Sequence, residues 1–186
     1  MSFSILSLLL GMLLMLTLIW LLSRRIGFRS QRPEHYANQG TPIDIRSALQ
    51  GDMICEGVVY GPLGRVTSRF VADLHAGWEG TQGFMTEHFK YDNGSIQDRR
   101  WAFRVTSDDG SFEATAPDII GTSYGRQMGS GVELNYAIRL PESSGGHILN
   151  GTDWMYQLEN GTIVNRSQFR KFGIKLAEIV ATIRKK

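Results

Sequence analysis

A glutamate and an arginine on consecutive predicted strands are the residues best suited to chemistry. Glu87 alternates with apolar residues from Met85 to Tyr91, so it shares a strand face that is otherwise buried. A three-residue hairpin loop, Asn93–Ser95, places Glu87 opposite Trp101 and diagonal to Arg99. The Cα atoms of such a diagonal pair lie about 7–8 Å apart, within reach of long side chains. A buried carboxylate requires such a cationic partner, because an isolated buried charge is strongly unfavourable.

Three interpretations of the Glu87 and Arg99 pair are open. The favoured one is an internal ion pair that fixes the fold, since buried pairs often serve structure. The second is a pair that orients a ligand by its polar group. The third is a catalytic acid or base with a pKa shifted by burial.

A second polar group comprises Asp153, Asn165 and Arg166. The alternation of Trp154 and Tyr156 predicts that both aromatic rings point inward, so Asp153 is expected to point outward. There it would cap a turn or pair with Arg166. We interpret this group as a corner that defines the fold.

Other chemistry finds little support in the sequence. His75 and His88 lack the spacing of a metal site, and no nucleophile motif surrounds a Ser or Cys. The glycine-rich stretch 121–131 lacks the context of a phosphate loop. The single cysteine, Cys55, excludes an internal disulfide and is expected to be a buried small hydrophobe. We therefore assign no catalytic residue, metal or cofactor, and a non-enzymatic role is favoured.

The elements that must position these residues are strands. Apolar residues alternate with polar ones over most of the chain beyond residue 50, and this period of two indicates strands with one buried face. The clearest runs are Phe70–Trp78, Trp101–Val105, Val132–Leu140, Trp154–Leu158 and Ala177–Ile183. Turn dipeptides such as Asn93-Gly94, Asp109-Gly110 and Asn160-Gly161 separate them. About ten antiparallel strands at this spacing predict an all-β fold closed into a barrel.

An apolar run precedes the strands. Ile5–Leu22 contains eighteen residues and no charge, and as a helix it spans about 27 Å, close to the hydrocarbon thickness of a bilayer. A cleaved signal peptide is disfavoured, because the N-terminus has no basic residue and no small-residue cleavage pattern follows. A lipoprotein signal needs a Cys directly after the run, which is absent. We therefore predict a single transmembrane anchor.

Charge predicts the orientation of that anchor. Arg24, Arg25, Arg29 and Arg32 follow the run, and no acidic residue precedes Glu34. The positive-inside rule puts this flank, and the domain after it, in the cytoplasm of an inner-membrane protein. The periplasmic face is the alternative.

The predicted organisation is an anchor at 1–23, a polar linker at 24–42 that lifts the domain off the bilayer, and a barrel domain at 43–186. The chain holds 20 basic and 18 acidic residues. Removing the four flanking arginines leaves 16 basic and 18 acidic residues, a net charge of −2, for the remainder. A slightly acidic domain argues against nucleic acid as a partner.

Several blocks of the sequence resemble an uncharacterised bacterial family known as domain of unknown function 3833. The most specific block runs from Asp153-Trp154-Met155-Tyr156 through Asn165-Arg166 to Lys171-Phe172-Gly173. The other blocks are Gly57-Val58, Gly64-Arg65-Val66, Glu87-x-Phe89, Arg100-Trp101 and Asp118-Ile119-Ile120-Gly121. The resemblance implies a lipocalin-type β-barrel and a membrane lipoprotein, with no established activity. This chain departs from the lipoprotein pattern because it lacks the lipid-accepting Cys.

Function is predicted from the barrel interior and from the anchor. A tethered barrel lined by aromatic rings suits a lipid or another apolar ligand, with the bilayer as its second partner. The predicted ligand-binding residues are Glu87, Arg99, Trp101, Tyr136, Trp154 and Tyr156, with Trp78 as a further lining ring. The alternatives are a membrane scaffold with a filled barrel and, less favoured, an enzyme acting on lipids. A cavity of about 300 Å³ or more favours binding, whereas a filled interior favours the scaffold.

Overall fold

The computed structural model describes the backbone of residues 2–186, with all side chains except those of residues 2, 3, 23, 24 and 143. The side chain of Arg24, one of the flanking arginines, therefore lies outside the described part. The chain forms α1 (Ser2–Arg25), two short 3-10 turns (Phe28–Ser30 and Pro33–Tyr36), α2 (Ile45–Ala48) and ten strands. The strands are β1 (Gly51–Tyr60), β2 (Val66–Glu79), β3 (Gln82–Tyr91), β4 (Ile96–Val105), β5 (Ser111–Thr115), β6 (Ser123–Met128), β7 (Gly131–Arg139), β8 (Ile148–Gln157), β9 (Ile163–Lys171) and β10 (Ile174–Lys185).

The ten strands form one closed antiparallel barrel in which each strand pairs with its neighbours in sequence. Pairing of β1 with β10, from Met53 opposite Lys185 to Tyr60 opposite Glu178, closes the sheet. Closure leaves no free sheet edge, which removes a site of aggregation. The predicted ten-stranded all-β barrel is confirmed.

The alternation seen in the sequence determines which residues fill the barrel. In β2 the residues Phe70, Ala72, Leu74 and Ala76 are buried while those between them are exposed or half-buried. The interior faces of β4, β7 and β10 follow their predicted runs in the same way. Successive Cβ atoms of a strand point to opposite faces, so burial of one face follows directly from this pattern.

One end of the barrel, here called the cap end, is closed by α2 and the residues beside it. Ile43, Ile45 and Leu49 are buried there. Ile45 donates its backbone N–H to Gln127 Oε1 at 2.9 Å, and Trp78 donates its indole N–H to the carbonyl of Leu49 at 2.7 Å. The opposite end, here called the rim, carries the turns at 61–65, 92–95, 116–122, 140–147 and 172–173.

The segment predicted to be a spacer packs on the outside of the barrel. Phe28 and Pro33 of this segment are buried, and directly after it the Ile43 N–H donates to the Gly129 carbonyl at 2.8 Å. Tyr36 packs against Gly131, where a Cβ would meet its ring. Residues 28–43 are therefore packed against the barrel and do not form a free, extended segment.

The N-terminal helix contains a stretch, Ser4–Leu22, of 19 residues that is long and apolar enough to cross a membrane and is not buried by the rest of the chain. A signal sequence has the same character. The helix thus fits either a membrane anchor or a signal sequence.

Candidate functional site

The barrel encloses a cavity of about 120 Å³. Its cap-end wall is apolar, with Leu49, Phe103 and Ile183, and its rim-side wall is aromatic, with Phe70 and Phe89. Between the two walls lie charged and polar side chains. At about 30 Å³ per molecule, this volume corresponds to roughly four waters. It is below the volume of about 300 Å³ that was expected to favour binding, but the interior is not filled.

Glu87 and Arg99 face each other directly across β3 and β4. The predicted loop is wrong by one residue: Tyr91 donates to the carbonyl of Ser95 at 3.0 Å, so the three-residue loop is Asp92–Gly94. This moves the register by two, and Trp101 pairs with Met85 instead of Glu87. The strand pairing therefore brings the carboxylate and the guanidinium closer than expected.

Arg99 binds two carboxylates inside the barrel. Its Nη1 lies 3.9 Å from Glu87 Oε2, and its Nε donates to Asp118 Oδ1 at 3.0 Å. The side chains of Arg99 and Glu87 are 14% and 9% exposed. Asp118 comes from the loop between β5 and β6, where the bridge of Ile119 to Ile138 holds it over the rim. Asp118 belongs to the site although it was not predicted as a site residue, because no strand pattern places a loop side chain.

Asp153 points into the barrel, so its predicted outward orientation is wrong. It faces Leu134 of β7 and Ser167 of β9, and its Oδ1 accepts a hydrogen bond from Tyr136 Oη at 2.9 Å. Gly151 makes room for this arrangement, because a Cβ there would overlap the Tyr136 ring. Arg166 lies on the outer face instead and donates to Glu178 Oε1 at 2.6 Å.

We call Glu87, Arg99, Asp118, Tyr136 and Asp153 the polar cluster. It contains three carboxyl groups and one cation. Burial raises the pKa of Glu87 from 4.5 to about 7, although Arg99 opposes this effect. Burial also raises the pKa of Asp153, while hydrogen bonds from Ser167 and Tyr136 act to lower it.

Arg99 and Tyr136 keep their ordinary charge states at neutral pH. Burial acts to lower the pKa of Arg99, but the nearby acidic groups, Glu87 first, outweigh it and raise that pKa. Burial, with the neighbouring Asp153, raises the pKa of Tyr136 well above 10.0. The site therefore holds a fixed cation, a neutral phenol and a carboxyl, Glu87, that exchanges its proton near neutral pH.

Two atoms of the polar cluster have no hydrogen-bond partner. Glu87 Oε2 and Arg99 Nη2 are both buried and form no hydrogen bond among the described residues, although Oε2 lies 3.9 Å from Arg99 Nη1. Both residues line the cavity. Leaving a buried polar group unpaired costs about 1–3 kcal/mol, and more for a charged one. The cavity is thus lined by an acceptor and a donor that lack hydrogen-bond partners.

Aromatic rings flank this pair on the interior face. The guanidinium of Arg99 lies 4.1 Å from the centre of the Trp101 ring, within the range of a cation–π contact. Trp101 in turn meets the Tyr136 ring edge-on at 5.9 Å. The structure therefore brings together four of the six predicted ligand-binding residues: Glu87, Arg99, Trp101 and Tyr136.

Trp154 and Tyr156 lie outside the barrel, which corrects their predicted inward orientation. Both rings pack on Tyr36 of the segment 28–43 with centres 5.3 Å away. The Gln31 side chain accepts hydrogen bonds from both Tyr36 and Tyr156. The N-terminal segment buries this outer face of β8, so burial there does not indicate the barrel interior.

The other residues that were considered have structural surroundings. His75 and His88 lie on the outer wall and contact Asp52 and Asp98 at 2.7 and 2.6 Å. Among the described residues, no group of three His, Cys, Asp or Glu side chains is arranged to hold a metal ion. Cys55 is buried in the core, and burial raises the pKa of its thiol to about 12.

Comparisons with known proteins extend the description. No curated protein matches the chain. The S-type phycobiliprotein lyase CPES from Guillardia theta shares the fold at a TM-score of 0.57 and 6% identity, covering 84% of this chain and 98% of the lyase. Rv2717c from M. tuberculosis shares the fold at a TM-score of 0.55 and 15% identity, covering 75% of this chain and 94% of its own. A redesigned β-barrel, mFAP1, bound to DFHBI, matches at 0.40 and 11% identity, covering 75% of this chain and 97% of its own.

These identities are too low to indicate more than a shared barrel fold. The family described as "Protein of unknown function (DUF3833)" matches residues 22–185, which include the segment on the outer wall and the whole barrel. The match covers most of the chain, so the protein belongs to this DUF3833 family.

Proposed function

We propose that this protein is a membrane-anchored β-barrel that binds a small amphipathic molecule by an uncharged, hydrogen-bonding head group. The observation that carries the proposal is the unpaired donor and acceptor, Arg99 Nη2 and Glu87 Oε2, beside the interior cavity. A hydroxyl group accepts one hydrogen bond and donates another, so it satisfies both atoms at once.

The charge of the polar cluster selects against an anionic head group. Three carboxyl groups already surround the single guanidinium of Arg99, which is bound to Asp118 at 3.0 Å. A fourth carboxylate would add like-charge repulsion in a site of low dielectric. A cationic head would lose its hydration with only partial compensation, because Glu87 is about half protonated at neutral pH.

The surrounding side chains suit an apolar tail. Phe70, Phe89 and Phe169 line the rim side of the cavity, and Met85 and Met155 line its walls. Methionine side chains are unbranched and repack readily around a ligand. The cavity of about 120 Å³ holds a head group and a few carbons, and displacement of these side chains makes room for a longer chain.

The anchor fixes where binding takes place. In this proposal, the stretch Ser4–Leu22 of α1 spans the inner membrane once, and its basic flank keeps the barrel on the cytoplasmic side. A reporter fused after Lys186 should then be active only on the cytoplasmic side. Activity on the periplasmic side would contradict this orientation.

Three water-soluble probes with the same tail test the head-group assignment: 1-hexanol, hexanoate and hexylammonium. Binding is followed by the fluorescence of the interior tryptophans in the detergent-solubilised full chain. We expect saturable binding of 1-hexanol at least about tenfold tighter than that of hexanoate, equivalent to about 1.4 kcal/mol. The double variant Arg99→Met/Glu87→Gln, which removes the guanidinium and the titrating carboxyl, should lose this preference.

Three results would overturn the proposal. Equal or tighter binding of hexanoate would show that the cluster accepts an anion, and tighter binding of hexylammonium would show that it selects a cation. Absence of saturable binding by all three probes would leave a water-filled structural cluster and the scaffold interpretation.

A further inference from the structure

The most exposed apolar side chains of the barrel lie at two neighbouring hairpin tips on the rim. Outside α1, Phe172 is 91% exposed and Leu63 is 86% exposed, the highest values among the large apolar residues described. Leu63 lies in the turn between β1 and β2, and Phe172 in the turn between β9 and β10. Because β1 pairs with β10, these turns are adjacent around the barrel. Ile96 and Ile174, 62% and 65% exposed, lie at the same rim.

Phe172 also adopts a backbone conformation that its side chain disfavours. Lys171 pairs with Ile174, so Phe172 and Gly173 form a two-residue turn with φ of 53° and 81°. Such turns favour Asn followed by Gly, because both residues need positive φ. A bulky residue there is strained. Neither the turn nor the core explains a phenylalanine at this position.

Cations accompany both exposed tips. Arg65 follows Leu63 in the first turn, and Lys171 precedes Phe172 in the second. Neither basic residue has a carboxylate partner among the described side chains. Lys171 Nζ lies 5.8 Å from the centre of the Phe172 ring and 3.1 Å from His147 Nδ1. Apolar tips flanked by cations that have no carboxylate partner match the chemistry of an anionic bilayer surface.

The N-terminal segment reaches the barrel from the rim side. Arg29 shares a cleft on the outer wall with Arg170 and Gly173, next to the rim. Further along, Tyr36 packs on Gly131 at the cap end. The chain therefore runs along the wall from Arg29 near the rim to Tyr36 at the cap end.

The tether between α1 and the barrel is short. Phe28 is buried on the wall, with the guanidinium of Arg166 5.2 Å from its ring centre. The apolar stretch ends at Leu22, and the six intervening steps span at most about 20 Å. Such a tether keeps Phe28, and the barrel wall on which it packs, within about 20 Å of the end of the apolar stretch.

We propose that the rim docks on the bilayer that holds α1, with Leu63 and Phe172 inserted among the acyl chains and Arg65 and Lys171 on anionic head groups. This inference rests on the proposed function for the anchor, and it deepens that function by naming the bilayer as the source of the ligand. The cap end faces away, closed by α2. The ligand then enters the cavity through the rim, past Phe70 and Phe89, without crossing water.

Spin labels on single cysteines test the docking in the full chain. Leu63→Cys and Phe172→Cys place labels on the two tips, and Asn160→Cys places one on a hairpin tip at the cap end as the matched control. The buried Cys55 does not compete for the label. The protein is placed in nanodiscs of phosphatidylcholine with a minority of phosphatidylserine. We expect the two rim labels to be more accessible to oxygen than to an aqueous nickel chelate, and the control label to be more accessible to the chelate.

A second variant separates membrane contact from folding. Phe172→Asn restores the preferred turn residue, so we expect an unchanged or slightly raised Tm, by about 2 °C. The label at position 63 should then become more accessible to the aqueous chelate. A lowered Tm with unchanged label accessibility would show that Phe172 serves the fold and would overturn the inference.

The result of the docking test can be distinguished from the result of the ligand-binding test. Rim labels as aqueous as the control label overturn the docking, whatever the interior binds. Bilayer-embedded rim labels in a protein that binds none of the hexyl probes support the docking and refute only the ligand proposal.

Discussion

Replacing Glu87 by glutamine should remove a pH dependence of stability that the wild-type protein carries. Burial raises the pKa of this carboxyl from 4.5 in the unfolded chain to about 7 in the barrel. Between these two values the folded state binds more protons than the unfolded state, so the stability contributed by protonated Glu87 is complete below pH 4.5. It decreases as the pH rises, and it is lost above about pH 7. The difference corresponds to about 3 kcal/mol, at ~1.4 kcal/mol per pH unit.

Glutamine keeps the shape of Glu87 but does not titrate. Arg99 retains Asp118 at 3.0 Å in the variant, and the other groups that face Glu87 are unchanged: Cys55, Tyr91, Tyr136 and Asp153. Their contributions, including the raised pKa of Asp153, cancel when the two proteins are compared at the same pH. The free energy of unfolding of Glu87→Gln relative to wild type should therefore increase by about 2–3 kcal/mol between about pH 5 and about pH 8.

Thermal unfolding of the detergent-solubilised full chain, followed by tryptophan fluorescence, measures this difference. For a chain of this length, it corresponds to a relative gain in Tm of roughly 4–12 °C across the pH range. Glu159→Gln, a substitution in an exposed turn, is the control and should follow the wild type at every pH. Parallel curves for wild type and Glu87→Gln would refute the reasoning, because they would show that Glu87 has the same pKa in both states.

Three further predictions concern the packing around the site. The Cys55 thiol should react with an aromatic disulfide reagent roughly a thousandfold more slowly in the folded protein than after unfolding, because burial raises its pKa to about 12; equal rates would contradict its burial. Gly151→Ala should lower the free energy of unfolding by about 1–3 kcal/mol, because the new methyl group displaces the Tyr136 ring; an unchanged Tm would contradict the packing. Gly129→Ala should weaken the packing of residues 28–43 on the barrel, because φ is 53° at this position and a Cβ would overlap the carbonyl of Tyr36. A protease should then cleave within residues 28–43 faster than in wild type. An unchanged cleavage rate would contradict the packing.

The barrel could be predicted from the sequence because each strand and each turn is indicated by residues that are close together in the chain. Alternation in stretches such as Phe70–Trp78 reports directly which face of a strand is buried. Turn dipeptides such as Asn93-Gly94 report where strands end. These signals suffice for the number of strands and their antiparallel order.

The pairing register of β3 and β4 was harder to predict from the sequence. Placing the hairpin loop at Asn93–Ser95 instead of Asp92–Gly94 changes the residue opposite Glu87 from Arg99 to Trp101. The two loops have the same length and contain the same Asn-Gly pair, so the sequence does not distinguish them. The contact between the carboxylate and the guanidinium depends on this difference.

Strand β8 shows where alternation misleads. Both of its faces carry buried residues, because the segment 28–43 covers the outer one. The larger rings, Trp154 and Tyr156, suggested the interior, yet that face carries Asp153 and Met155. The sequence signal for this outer covering is the presence of Phe28 and Tyr36 in an otherwise polar segment. That signal can be interpreted only once the outer face of β8 is known to be the surface that they cover.

Native mass spectrometry of the full chain, extracted in mild detergent from the membranes in which it is expressed, tests the central claim most directly. We predict one bound amphipathic molecule per chain, with an uncharged head group that carries a hydroxyl. The double variant Arg99→Met/Glu87→Gln should lose it while the protein stays folded. Extraction of the wild-type chain at its unliganded mass across expression conditions would contradict the claim and leave a structural barrel.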